Sequence, residues 1–183
     1  MIGKKEVKIW DAGCAMGQEP LSLAILLAEN MGQFAFKNLK IYATDIDKSD
    51  QFEDIIAAGV YPAEQLKRIP KELLEKYFTY NEEDNNYKIV PFVHNRIKFY
   101  KHDLLSLQSI NTEFSLILCK NVLLHFKKSE RIEVINMFYQ SLSEGGFLAM
   151  EQTQKLPGKT GELFKKVTGN GQLFRKKELV LQS

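Results

Sequence analysis

Hydrophobic and polar positions fall into blocks along this chain. Strand-like segments at residues 7–10, 39–44, 97–101, 114–119 and 147–150 are separated by stretches with helical spacing at 20–30, about 50–58 and 128–142. Strands that alternate with helices predict an α/β fold, a doubly wound and mostly parallel sheet covered on both faces. Pro20 suits the opening of the first helix and Ser49 the cap of the second, while Gly145-Gly146 reads as the stop of the third. Asn170-Gly171, set between residues 164–168 and 172–176, predicts a C-terminal antiparallel hairpin.

Residues 61–95 are too many for a plain connection between a helix and a strand. They contain a helix start at Pro70 and a hairpin signal at Asn85-Asn86, so they read as a small inserted helix-plus-hairpin subdomain within one domain spanning 1–183. A cap over the sheet edge is the plainer reading of the same residues.

The chemistry concentrates where the first strand ends. Asp11-Ala12-Gly13 leads through a loop to Gly17, a helix follows at once, and the second strand ends on Asp45. That layout is a nucleoside-binding βαβ unit, in which glycines let the backbone approach the ligand and the strand-end acid accepts hydrogen bonds from ribose hydroxyls. The spacing G-x-x-x-G matches neither a dinucleotide fingerprint nor a phosphate loop, so a nucleoside without a phosphate chain is the expected guest. A structural turn with a capping acid uses the same residues, and at this level both readings stand.

Trp10-Asp11-Ala12-Gly13-Cys14-Ala15-Met16-Gly17-Gln18-Glu19-Pro20-Leu21-Ser22 resembles the first motif of the CheR-type chemotaxis receptor methyltransferases, which use S-adenosylmethionine (SAM) to methylate protein glutamates. Ala43-Thr44-Asp45-Ile46-Asp47 is similar to that family's ribose motif and Cys119-Lys120-Asn121-Val122-Leu123-Leu124-His125-Phe126 to its fourth-strand motif. Gly59-Val60-Tyr61 and Lys76-Tyr77-Phe78 also resemble family segments, so the likeness runs from about residue 7 to 177. It implies a class I, Rossmann-like methyltransferase fold with SAM as cofactor.

Carried over position by position, the resemblance implies SAM contacts at Asp11, Gly13, Gly17, Glu19 and Asp45, with Asp45 on the ribose. Asp103-Leu104 stands where the family has Asn-Leu beside the adenine, and Lys120-Asn121 where it has Arg-Asn. Asn121 is expected to orient the methionyl end or the acceptor, and His125, at a tyrosine position, to lie near the reacting methyl. A glutamate acceptor is already ionised and needs no base, whereas a phenol or amine acceptor would give His125 a proton to remove. The implied function is O-methylation of protein glutamates; the alternatives are a small-molecule methyltransferase and a non-catalytic SAM-binding module. In the family a helical N-terminal domain closes over SAM, and here only a few residues precede the first strand, so the expectation is a fragment or a minimal form with an open site.

Composition narrows the setting. The chain has 183 residues, 44% of them hydrophobic, and a net charge of +2. No apolar run is long enough to span a bilayer and the first six residues lack a secretory core, so a cytoplasmic protein is expected. Residues 155–183 carry seven Lys or Arg against Glu162 and Glu178, which would suit an acidic protein partner such as the cytoplasmic part of a chemoreceptor. No nucleic-acid motif is present. Cys14 and Cys119 match no metal spacing and read as packing residues, His94 and His102 as surface residues, and no metal is expected.

Overall fold

The computed structural model describes residues 6–151 and 155–178. Most of the segment read for a leader, residues 1–5, and the last five residues of the basic tail, 179–183, lie outside it.

The larger sheet has seven strands in the order β6-β2-β1-β7-β8-β10-β9. These are β1 (Val7–Ala12), β2 (Leu39–Asp45), β6 (Ile97–Lys101), β7 (Phe114–Cys119), β8 (Leu142–Met150), β9 (Phe164–Lys166) and β10 (Leu173–Lys176). The first five in that order are parallel, and β10 lies antiparallel to both β8 and β9. Residues 60–89 supply a second, antiparallel sheet in the order β3-β5-β4, from β3 (Val60–Pro62), β4 (Phe78–Asn81) and β5 (Asn86–Ile89).

β1 occupies the centre because alternate side chains serve opposite faces. Ile9 packs with Leu21, Ile25 and Phe36 from α1 (Gln18–Asn30) and α2 (Gln33–Phe36), while Trp10 packs with Phe114 and with Phe138 of α6 (Lys128–Ser141). The Trp10 ring is fully buried, 5.4 Å from Phe114 and 5.3 Å from Phe138, and its indole N–H donates to Thr44 Oγ1 at 2.8 Å. Tyr77, Phe78, Ile89 and Val93 of the smaller sheet and its flanks belong to the Ile9 cluster. The smaller sheet therefore shares its core with α1.

Three local expectations are corrected. α1 starts two residues before Pro20, which sits in the first turn, where its missing N–H is an orphan anyway. Ser49 does not cap α3 (Phe52–Ala58); its hydroxyl donates to Asp47, whose carboxylate accepts the Gln51 and Phe52 amides instead. Gly145-Gly146 does not stop a helix. α6 passes into β8 at Leu142 with no intervening turn, and the glycines lie within β8, where the register with β7 shifts between Phe114 and Leu116. A Cβ on Gly146 would stand 2.9 Å from the Phe114 carbonyl, so the irregularity needs glycine there. α4 (Lys71–Tyr77) and α5 (Pro91–His94) complete the α-helices among the described residues, α4 starting just after Pro70.

Candidate functional site

β1, β2, β6 and β7 are parallel, so their C-terminal ends open on one side of the sheet, and β6-β2-β1 and β1-β7 diverge there to leave a crevice. The loop after β1 borders it. Gly13 (φ 103°) and Gly17 (φ 92°) take a left-handed backbone that side chains resist. The Gly13 and Cys14 amides donate to the Thr44 carbonyl at 2.7 and 2.9 Å, and a Cβ on Gly13 would meet Val122 Cγ2 at 2.0 Å. A Cβ on Gly17 would stand 2.6 Å from Ile56. The loop is thus pressed against its neighbours at both glycines.

Asp45 ties this loop to β2. One carboxylate oxygen accepts the Ala15 amide at 3.1 Å and the other the Asp47 amide at 3.0 Å, which fixes the carboxylate and leaves lone pairs for a ligand hydroxyl. Asp47 is turned away: it is buried, and although burial works to raise its pKa, the Phe52 amide, the Ser49 hydroxyl and the Gln51 amide hold it below the ordinary value.

A cavity of about 360 Å³ lies at these strand ends, and Gly13, Asp45, Asp103, Leu104 and His125 all line it. Asp103 Oδ1 accepts the Leu105 amide at 2.8 Å and caps the short turn at Leu104–Ser106, and the Leu104 side chain is buried. His125 is exposed at the end of the turn Leu123–His125. Ile46, Lys48, Phe126 and Glu130 also line the cavity, as does His102, which sequence reasoning placed on the surface. His102 is half-buried, set edge-on to Trp10 with ring centroids 5.6 Å apart, and its Nε2 lies 2.9 Å from the Gln108 carbonyl. His94 is likewise half-buried, with Nε2 2.7 Å from the Ile56 carbonyl. Both are held by tertiary partners, His102 by Trp10 and the Gln108 carbonyl and His94 by the Ile56 carbonyl, and the only sequence signal for His102 is its place before Asp103.

The remaining expected residues gather outside that cavity's lining. Glu19 of α1 and Lys120 after β7 form an ion pair of 2.7 Å, and this hydrogen bond raises the lysine pKa against the effect of partial burial. Asp11 is fully buried beside Glu19, and no N–H or O–H among the described residues donates to either of its carboxylate oxygens. Burial first, then the Glu19 charge, then the hydrogen bond that a protonated Asp11 gives Glu19, pushes its carboxyl well above the ordinary range. Asn121 is exposed, with a left-handed φ of 58°, and the turn after it begins without a side-chain cap. Cys14 and Cys119 are free and buried, and burial drives both thiols upward.

These groups fit a nucleoside that carries an amino-acid end. Acceptors at Asp45 and Asp103 and an apolar wall at Leu104 suit the nucleoside, and the pair of acids at Asp11 and Glu19 suits an ammonium group, while the two glycines are required by Val122 and Ile56 packed against them. Among the described residues no cluster of metal-ligating side chains occurs, and no helix is long and apolar enough to cross a membrane.

A chemotaxis protein methyltransferase from Borreliella burgdorferi is 31% identical over 156 residues, covering 84% of this chain and 54% of the relative. Its counterpart from Vibrio anguillarum is 31% identical over 159 residues, covering 86% and 57%. The chain thus spans about half the length of the curated relatives it matches. In fold it is similar to a TehB-like SAM-dependent methyltransferase from Corynebacterium glutamicum, with a TM-score of 0.53 and 17% identity over 94% of this chain and 82% of that one. The sheet is that of the class I, Rossmann-like methyltransferases. The model of the CheR methyltransferase SAM binding domain matches residues 1–172, and the chain belongs to that family.

Proposed function

We propose that the chain is the catalytic part of a SAM-dependent methyltransferase that esterifies glutamate side chains on the cytoplasmic region of a chemoreceptor. The observation that carries this reading is the convergence of Gly13, Asp45, Asp103 and Leu104 on one cavity, in a chain whose relatives are chemotaxis methyltransferases. SAM bound there supplies an electrophilic methyl carbon on a sulfonium.

In this reading Asp45 accepts from the ribose, Asp103 accepts from the adenine amino group and Leu104 packs on the adenine. Gly13 and Gly17 keep the loop close to the ligand, while Asp11, Glu19 and Lys120 set the charge at its amino-acid end. Asn121 presents its amide to the methionyl end or the acceptor. A glutamate acceptor is ionised at neutral pH, so His125 has no proton to remove and serves by position. Residues 61–95, built around the smaller sheet, are the part of the chain we assign to receptor docking.

The test is methyl transfer from labelled SAM to a chemoreceptor cytoplasmic fragment. Label released as methanol by mild base identifies a carboxyl ester and supports the reading. Base-stable label that depends on His125 would point to a phenol or amine acceptor, and tight SAM binding without transfer to a binding module.

A further inference from the structure

The site carries more acid than its cation answers. Asp11 is fully buried at the end of β1, both its oxygens lack a donor among the described residues, and the side chains flanking it in sequence, Trp10 and Ala12, are buried too. The titratable groups around it are Glu19 from α1, Asp45 from β2, Lys120 and Cys119 at the end of β7, and Cys14 in the glycine loop. The one cation in this set, Lys120, is already bonded to Glu19. An ionised carboxylate in that position has neither a hydrogen bond nor a counter-charge of its own, and a like charge stands beside it.

We propose that Asp11 holds a proton in the ligand-free protein and releases it when an ammonium group enters beside Glu19, so that Asp11 selects ligands with a free amino-acid end. The inference rests on the SAM-binding reading. The step balances: on binding, the Asp11 O–H bond breaks, the proton leaves to solvent, and the carboxylate left behind adds one negative charge against the one positive charge of the incoming ammonium, so the net charge of the side chains around Asp11 and that ammonium together is the same before and after. The bookkeeping belongs to the Asp11–Glu19 pair as a unit.

Titration calorimetry in two buffers of different ionisation enthalpy tests this, with S-adenosylhomocysteine as probe at about pH 5 to 7, where its α-amino group stays charged. The wild-type protein should show a buffer-dependent heat equal to one released proton, and affinity rising about tenfold per pH unit while Asp11 is protonated in the free protein. Binding of 5′-methylthioadenosine, which lacks the amino-acid end, should release none. Asp11→Asn should bind S-adenosylhomocysteine with buffer-independent heat and a flat pH profile. Buffer-independent heats in the wild type across this range, or the same proton released by 5′-methylthioadenosine, would overturn the proposal. A wild-type chain that binds neither probe at any pH would overturn the reading of the cleft itself, and the inference with it.

Discussion

The backbone amide of Ala15 donates to the Asp45 carboxylate at 3.1 Å, so the acid expected to hold the ribose is also the strut that holds the glycine loop. Two functions on one side chain make its removal costly twice over. Asp45→Ala should weaken S-adenosylhomocysteine binding by roughly 1.5–3 kcal/mol, about 10- to 150-fold, through lost charge-assisted hydrogen bonds. Calorimetry on folded mutant protein checks this, and an unchanged affinity would remove Asp45 from the site.

The crowding of Gly13 against Val122 gives a paired prediction. Gly13→Ala should destabilise the protein by about 1–3 kcal/mol and depress ligand affinity, because the new Cβ is both strained at positive φ and in collision with Val122 Cγ2. Adding Val122→Ala should recover the part due to collision and leave the part due to φ. Denaturant melts of the two single mutants and the double mutant measure the coupling. Additive effects would show that the contact does not constrain the loop.

Asp11 should leave a mark on stability even without ligand. Its folded pKa is raised, by burial first and by Glu19 next, so the folded chain binds the proton more tightly than the unfolded one. Its favourable contribution is fully present below the unfolded carboxylate pKa of about 4 and is lost as pH rises through the folded value. Asp11→Asn, which keeps a neutral polar group, should therefore gain stability relative to wild type as pH rises from about 5 to 8. Thermal melts of both proteins across that range test the sign; a constant difference would mean that Asp11 is ionised throughout.

His125 separates acceptor classes by kinetics. With a carboxylate acceptor, His125→Phe should keep kcat within about tenfold of wild type and leave its pH profile free of a histidine ionisation, because no base is needed. A loss of about 100-fold or more, with a basic limb vanishing from the profile, would assign the residue to proton removal.

The glycine loop and the acid of β2 were legible in the sequence because each is a local constraint: only glycine tolerates the φ of 103° and 92°, and a strand end fixes where Asp45 points. Asp103 and Leu104, which border the same cavity, were legible only through the family resemblance, because an Asp-Leu pair after a strand has no local signature of its own. What could not be read depends on tertiary partners. His102 is drawn inward by the Trp10 ring, and nothing in its own segment encodes that contact. Asp47 takes the capping role expected of Ser49 because a left-handed φ of 37° swings it under the Gln51 and Phe52 amides. Gly145-Gly146 has the composition of a helix stop, yet the helix has already become strand at Leu142; the β7 backbone beside Gly146, and at Gly145 a φ of 68° with the Arg175 side chain close by, explain the pair.

The strand order carries a consequence for how the protein is made. β10 follows β9 in sequence yet inserts between β9 and β8, so while a ribosome is still synthesising residues 173–176, β8 presents a bare ladder of amides and carbonyls and β9 has nothing to pair with. The parallel half of the sheet can assemble as it emerges, but the antiparallel half must wait for its last piece. A chain that ended before Leu173 would leave the β8 edge uncovered and open to pairing with another chain.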